Sequence, residues 1–156
     1  MRFSTPEEYG NYAKSLFLQG YNCSQSILLA FSDYTGLDDE LSTKISSPFG
    51  GGMGRLREVC GAISGIFMVL GMVEGYTESS DQEGKTNLYK TVQELAHKFE
   101  EENDSIICRE LLNLSVKNDS YIPSERTKKY YDSRPCPQKI ASAAYILAEY
   151  LLSKSN

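Results

Sequence analysis

The chain has 156 residues, is 40% hydrophobic and carries a net charge of -5. This length and apolar content suit one domain with a substantial core, so we predict a single domain over residues 1–156. No dense stretch of lysine or arginine is present, which argues against nucleic acid or an anionic membrane surface as a partner. The first residues lack an apolar segment, so we expect no signal peptide and a cytoplasmic location.

Helical patterns account for the first third of the chain. Apolar spacing predicts an amphipathic helix over residues 5–19, where Thr5 and the acidic residue three positions later form a capping box. Asn22 and the glutamine three positions later form a second capping box, which predicts a helix over residues 23–34. A shorter helix is predicted over residues 38–47, where two apolar residues lie four positions apart.

The segment that follows, residues 48–55, is rich in glycine. A phosphate-binding loop would need a Gly-Lys-Ser/Thr ending and a preceding strand, and this segment has neither. We therefore expect Gly51 and Gly52 to let the backbone pass close to a thiol site.

An uncharged apolar run between Glu58 and Glu74 predicts a buried helix at the centre of the molecule. The run is shorter than the roughly 20 apolar residues of a membrane span, so we predict no membrane insertion. Its small residues share one face with Cys60, and each interior glycine costs about 1 kcal/mol relative to alanine. Close packing of a neighbouring helix, a groove for a metal, cluster or partner sulfur, or both, would offset the cost of Gly61, Gly65 and Gly71.

The second half of the chain continues the helical pattern. A long helix is predicted over residues 81–102. Apolar residues that fall on one side predict the last helix over residues 138–153. Residues 115–135 are polar and are interpreted as a loop with one short helical turn at most. No strand pattern of useful length appears, so we predict an all-α, single-domain bundle of about six or seven helices around the central glycine-rich helix.

The candidate functional residues are the four cysteines, and each falls where the local sequence predicts a helix start: Cys23, Cys60, Cys108 and Cys136. The first follows its cap directly, and the second lies in the first turn of the central helix. Cys108 is predicted at the third or fourth helical position after a cap at Asp104 or Ser105. Cys136 is predicted as the N-cap itself, because Pro137 suits the first helical position.

A thiol at a helix start is close to unpaired backbone N–H groups and the positive end of the helix dipole, which favours its thiolate. In the cytoplasm an even number of cysteines indicates metal binding or redox chemistry before structural disulfides. No Cys-x-x-Cys motif is present, and His97 is expected to be exposed rather than a ligand. Helix direction brings the first three thiols to one end of the bundle, and the polar loop is long enough for the fourth to join them.

The segment Cys60-Gly61-Ala62-Ile63-Ser64-Gly65, with the upstream glycine loop, Tyr21-Asn22-Cys23 and the two later cysteines, resembles the C_GCAxxG_C_C family of redox-active proteins. The resemblance covers nearly the whole chain and holds at every one of these positions. It implies a small bacterial or archaeal redox protein. A similar domain joined to a cytochrome in some anaerobes has been associated with an iron–sulfur site, which favours electron transfer by analogy.

Three hypotheses remain open from the sequence. In the first, the four cysteines bind an iron–sulfur cluster or another thiophilic metal, with Gly51, Gly52, Gly61 and Gly65 beside the cofactor. A partner protein such as an oxidoreductase exchanges electrons with it. In the second, two of the cysteines cycle between dithiol and disulfide without a metal. In the third, zinc or disulfides stabilise a domain with no catalytic role. Whether the protein is an enzyme, and its oligomeric state, stay open.

Overall fold

The computed structural model describes residues 1–115 and 119–155, and this part of the chain is helical with no strand, which confirms the all-α prediction. Residues 116–118 of the predicted loop lie outside the described residues. The helices are α1 (Pro6–Leu18), α2 (Cys23–Ala30), α3 (Ser32–Thr35), α4 (Asp39–Ser46), α5 (Gly61–Glu74), α6 (Gln82–Asn103), α7 (Cys108–Leu111), α8 (Lys128–Ser133) and α9 (Cys136–Lys154). A 3-10 turn at Ser47–Phe49 follows α4.

Both predicted capping boxes are present. Thr5 accepts the backbone N–H of Glu8 at the start of α1, and the Glu8 carboxylate accepts the N–H of Thr5 in return. Asn22 and Gln25 make the same pair of bonds at the start of α2, with N···O distances of 2.9 and 3.0 Å. The sequence signals that begin these two helices are therefore satisfied in the fold.

The helix predicted over residues 23–34 is wrong in one respect, because the chain bends at Phe31 and divides it into α2 and α3. Phe31 is fully buried, and its ring stacks on Tyr9 of α1 with 4.7 Å between centroids. The bend thus places a large aromatic side chain in the core. This division and α8, which lies in the predicted polar loop, raise the helix number above the predicted six or seven.

Helix α4 presents its polar side to the protein. Ser42 and Ser46 are buried, whereas Leu41 and Ile45 are 43% and 44% exposed. The apolar pair that predicted this helix is therefore on its solvent side. Small serine side chains let α4 approach α2 more closely than leucine would.

The apolar helix α5 packs against α2, α6 and α9, and α9 also packs along α1. A Cβ atom on Gly65 would lie 2.6 Å from the Cβ of Ile27, so α2 and α5 are in close contact at this glycine. Gly71 has no such neighbour within 4 Å, so close packing does not offset its cost. None of the helices in the described ranges combines the length and apolar character needed to cross a membrane.

Candidate four-cysteine site

The four cysteine side chains line one cavity of about 60 Å³ at the end of the bundle where their helices begin. They are all unpaired; Cys60 and Cys108 are buried, and Cys23 and Cys136 are half-buried. The prediction that the thiols converge is confirmed. The cavity is therefore large enough to hold water or a small group between the thiols.

Three of the four helix positions differ from the prediction. Cys60 is the N-cap of α5 rather than a residue of its first turn, because the helix begins at Gly61. Cys108 is the first residue of α7, not its third or fourth, because Asp104 instead ends α6 in the left-handed conformation with φ 76°. The Ser105 hydroxyl accepts the N–H of Ile107 rather than capping a helix. Pro135 is the N-cap of α9, which makes Cys136 its first residue rather than its cap. Each of these cysteines differs from its predicted helix position by a few residues at most, and each still lies at the start of its helix.

A short backbone bridge holds the segments before α5 and α7 together. Val59 and Ile107 pair in an antiparallel arrangement outside any sheet. The N–H of Cys60 donates to the carbonyl of Ile106 at 2.8 Å, and the N–H of Cys108 donates to the carbonyl of Glu58 at 2.6 Å. These bonds bring two distant cysteines to the same wall of the cavity. One residue from each segment forms the bridge, so it leaves no periodic pattern from which the sequence could predict it.

The glycine-rich segment forms a left-handed turn beside the thiols. Gly51 through Arg55 have φ between 61° and 70°, a region that costs non-glycine residues about 1–2 kcal/mol each. A Cβ on Gly52 would lie 2.5 Å from the Cβ of Cys108. The expectation of a close backbone approach to a thiol is therefore confirmed at Gly52.

The four glycines predicted beside a cofactor are not all at the cavity. Gly51, Gly52 and Gly61 line it, and a Cβ on Gly61 would lie 3.0 Å from the Cβ of Cys23. Gly65 is not among the lining residues, because its face of α5 is covered by Ile27. The glycine face of α5 thus serves the cavity in its first turn and helix packing in its second.

Three arginines, which the sequence reasoning missed, also line the cavity: Arg57, Arg126 and Arg134. Arg57 is only 4% exposed, and its Nη1 donates to the Cys108 sulfur at 3.5 Å while its Nη2 donates to Asp119 at 3.0 Å. The one available signal was a charged residue between a glycine loop and an uncharged helix. Arg126 and Arg134 lie in the polar loop and had no signal.

Arg126 connects the loop after residue 118 to the end of α1. Its guanidinium lies 4.3 Å from the ring centroid of Phe17, and it donates to the backbone carbonyls of Phe17 and Tyr21 at 3.1 and 3.2 Å. Arg134 lies over the ring of Tyr130 at 5.3 Å. The positive side of the site is therefore held by aromatic and carbonyl contacts.

The four thiols have different acidities. Burial raises the pKa of Cys60 to about 12. Burial also raises the pKa of Cys108, although the Arg57 hydrogen bond opposes the change. The hydrogen bond with Cys23 and the nearby Arg134 lower the pKa of Cys136 to about 7, and the same bond raises the pKa of Cys23. The pair thus loses one proton near neutral pH, and arginine charge favours the thiolate on Cys136.

The donor set of the cavity is made of sulfur alone. In the described ranges, no group of three or more His, Cys, Asp or Glu side chains forms a ready site for a metal ion. His97 is exposed, as predicted, and does not line the cavity. A cluster that brings its own sulfides and a single tetrahedral ion both accept cysteine sulfur as ligand, so these four residues are the ones that could hold either group. The residues present therefore fit an iron–sulfur group by donor chemistry.

The fold and the cavity define an all-α protein with a four-cysteine site between helix starts. Residues 21–150 match the family model described as "Putative redox-active protein (C_GCAxxG_C_C)". The chain belongs to this C_GCAxxG_C_C family, which confirms the resemblance drawn from its motifs. Searches of curated proteins and of solved structures found no match to the chain.

Proposed function

We propose that this protein transfers electrons through the four-cysteine site, with the cysteine sulfurs as ligands of an iron–sulfur cluster. The observation that carries the proposal is the lining of one cavity by all four thiols from four different helix starts. A dithiol site needs two sulfurs, and a structural core needs no space between them. When bound, a cluster would supply one-electron redox chemistry at this position.

The charges around the cavity support the same proposal. Four thiolates around one cavity, two of them on buried cysteines, would destabilise the fold strongly without compensating charge or hydrogen bonds. Three guanidinium groups line the cavity, and the backbone N–H groups of Ala62 and Ile63 approach the Cys60 sulfur and favour its thiolate. This positive lining offsets the negative charge of thiolate ligands. Positive charge and hydrogen bonds to sulfur also favour a reduced cluster.

A second protein must give or take the electron, so we propose a redox partner that docks near the cavity opening. A polar cleft adjoins the cavity, and the two share Leu111, Leu112, Arg134, Pro135 and Lys139. A partner seated in the cleft would be separated from the cavity by these shared residues.

The test is an absorption spectrum with iron and acid-labile sulfide analysis of protein purified without air. We expect broad visible absorbance, and we expect Cys60→Ser to lose it together with most of the iron. Ser64→Ala is the matched control, because Ser64 lies one turn along the same helix, is buried and has no hydrogen-bond partner for its hydroxyl. Colourless protein that contains neither iron nor sulfide would contradict the proposal.

A second candidate function is dithiol–disulfide exchange, and it is favoured by one specific contact. Cys23 and Cys136 line the same cavity, and the interaction with Cys23 and the charge of Arg134 lower the pKa of Cys136 to about 7. A thiolate beside a second thiol is the arrangement of a nucleophile and its resolving partner. Oxidation would join the two sulfurs and pass two electrons to a partner disulfide, which would be reduced to two thiols.

The second candidate predicts a distinct pH profile in metal-free, reduced protein. Cys136 should react with iodoacetamide at half its maximal rate near pH 7, whereas Cys60, with its pKa near 12, should need strongly alkaline solution. Peptide mass spectrometry after each pH step measures both rates in one sample. Mild oxidation should then link Cys23 to Cys136, and equal reactivity of all four cysteines would contradict this candidate.

A further inference from the structure

Among the residues that the structure describes, Arg57 is the one arginine that contacts both a thiol of the site and a carboxylate outside the cavity. Its Nη1 lies 3.5 Å from the Cys108 sulfur, and its Nε and Nη2 donate to one oxygen of Asp119 at 3.3 and 3.0 Å. Each of the three guanidinium nitrogens therefore has a hydrogen-bond partner. The contact with Asp119 joins residues 62 positions apart in the chain.

The protein accepts two costs to place this side chain. Arg57 is nearly fully buried, and a buried charge destabilises the fold unless it is paired and hydrogen-bonded. Its backbone also has φ 60°, a conformation that disfavours a non-glycine residue. The backbone carbonyl of Arg57 accepts hydrogen bonds from the backbone and side chain of Arg109, both at 3.2 Å, which hold the strained residue in place.

A purely structural role does not explain this placement. Arg55 lies two residues earlier and makes the same salt bridge to Asp119 at 3.1 Å without contacting a sulfur. The loop around Asp119 is thus already attached to the glycine turn by Arg55, which also donates to the Ser120 carbonyl at 2.5 Å. The second arginine adds what the first lacks, namely a guanidinium against Cys108.

We propose that Arg57 is a positioning residue of the four-cysteine site, and that Asp119 holds its guanidinium against the Cys108 sulfur. In this arrangement the carboxylate, although outside the cavity, controls the electrostatic environment of one sulfur through the arginine. The inference deepens the proposed function, because a hydrogen bond to a ligand sulfur shifts a cluster's reduction potential. It also stands without a cluster, because the same contact sets the reactivity of a free thiolate.

The test compares Arg57→Gln, Arg57→Lys, Asp119→Asn and the control Arg55→Gln in chelator-treated, reduced full-length protein. Iodoacetamide alkylation at one fixed pH gives the rate at Cys108 relative to the rate at Cys60. The two side chains are 8% and 7% exposed, so a variant that only opens the fold more often would raise both rates and leave their ratio unchanged. We expect the ratio to fall about fivefold in Arg57→Gln, less in Asp119→Asn, and to recover in Arg57→Lys. Arg55→Gln should leave the ratio unchanged.

An unchanged or increased ratio in Arg57→Gln would overturn the inference. Equal falls in Arg55→Gln and Arg57→Gln would also overturn it, because release of the Asp119 loop would then be the cause. In protein that carries a cluster, the reduction potential should become more negative in Arg57→Gln and stay constant in Arg55→Gln. Colourless protein would count against the cluster alone, since the alkylation ratio does not depend on it.

Discussion

At the scale of single residues, the cysteine site depends on glycines that leave space beside the cysteine side chains. Gly52 and Gly61 allow Cys108 and Cys23 to approach a neighbouring backbone more closely than any side chain would permit. Glycine at these positions is therefore required by space as well as by conformation. Gly71, on the same helix as Gly61, has open space around it and provides a comparison.

Gly61→Ala should destabilise the protein by about 1–3 kcal/mol, because a Cβ there would lie 2.9 Å from the Phe49 carbonyl oxygen and 3.0 Å from the Cys23 Cβ. Gly71→Ala should instead stabilise it by about 1 kcal/mol, since alanine favours a helix and meets nothing. Urea unfolding followed by circular dichroism measures both changes. Equal effects of the two substitutions would show that helix propensity, rather than crowding at the site, governs Gly61.

At the scale of helices, the site is a set of helix starts. Backbone N–H groups without intrahelical partners occur in the first turn, and here four such turns face one cavity. The caps differ in kind. Asn22 caps α2 with its side chain, whereas α5, α7 and α9 have no side-chain cap at all. The position of Cys23 therefore depends on a cap that can be removed without touching a cysteine.

Asn22→Ala should lower the free energy of unfolding by about 1–2 kcal/mol and, if the site holds the proposed iron–sulfur group, reduce the iron that the protein retains. The change removes the bond from the Gln25 N–H and also the bond that Asn22 donates to the Ser47 carbonyl at 3.0 Å. Thr5→Ala, which removes the equivalent cap of α1, should cost about 1 kcal/mol and leave the iron content unchanged. Loss of iron in both variants would attribute the effect to general stability.

At the scale of the whole molecule, the four sulfurs belong to helix starts that are far apart in sequence and meet at one cavity. They lie at the starts of α2, α5, α7 and α9, and the last of these helices also packs along α1. A group bound to all four would hold the polar loop and the start of the last helix against the centre. Binding to the folded state alone raises its stability by mass action.

If the protein holds the proposed iron–sulfur group, its removal with a chelator should lower the free energy of unfolding, and with it the urea midpoint. The loss is about 4 kcal/mol for a group whose Kd is roughly a thousandth of its free concentration. Cys60→Ser protein should show one midpoint with and without the chelator, because it has lost a ligand. Identical midpoints in untreated and chelated wild-type protein would indicate that the four sulfurs do not hold a stabilising group.

Much of this architecture was accessible from local patterns. The capping boxes at Thr5 and Asn22 have short-range causes, and both are present as predicted. The errors have longer-range causes. The bend at Phe31 follows from burial of its ring against another helix, and the exposed side of α4 follows from the need for small residues against α2. Local spacing carries no information about which neighbour a face will meet.

The sequence by itself determined the helical class, the capped starts of α1 and α2, and the occurrence of each cysteine within a few positions of a helix start, because caps and apolar spacing act within a few residues. It also supported the convergence of the thiols. Only the tertiary structure decided what surrounds them. The Val59–Ile107 bridge, the Arg57–Asp119 pair and the contact between Cys23 and Cys136 join residues up to 113 positions apart, and such contacts depend on the folded chain rather than on any local pattern.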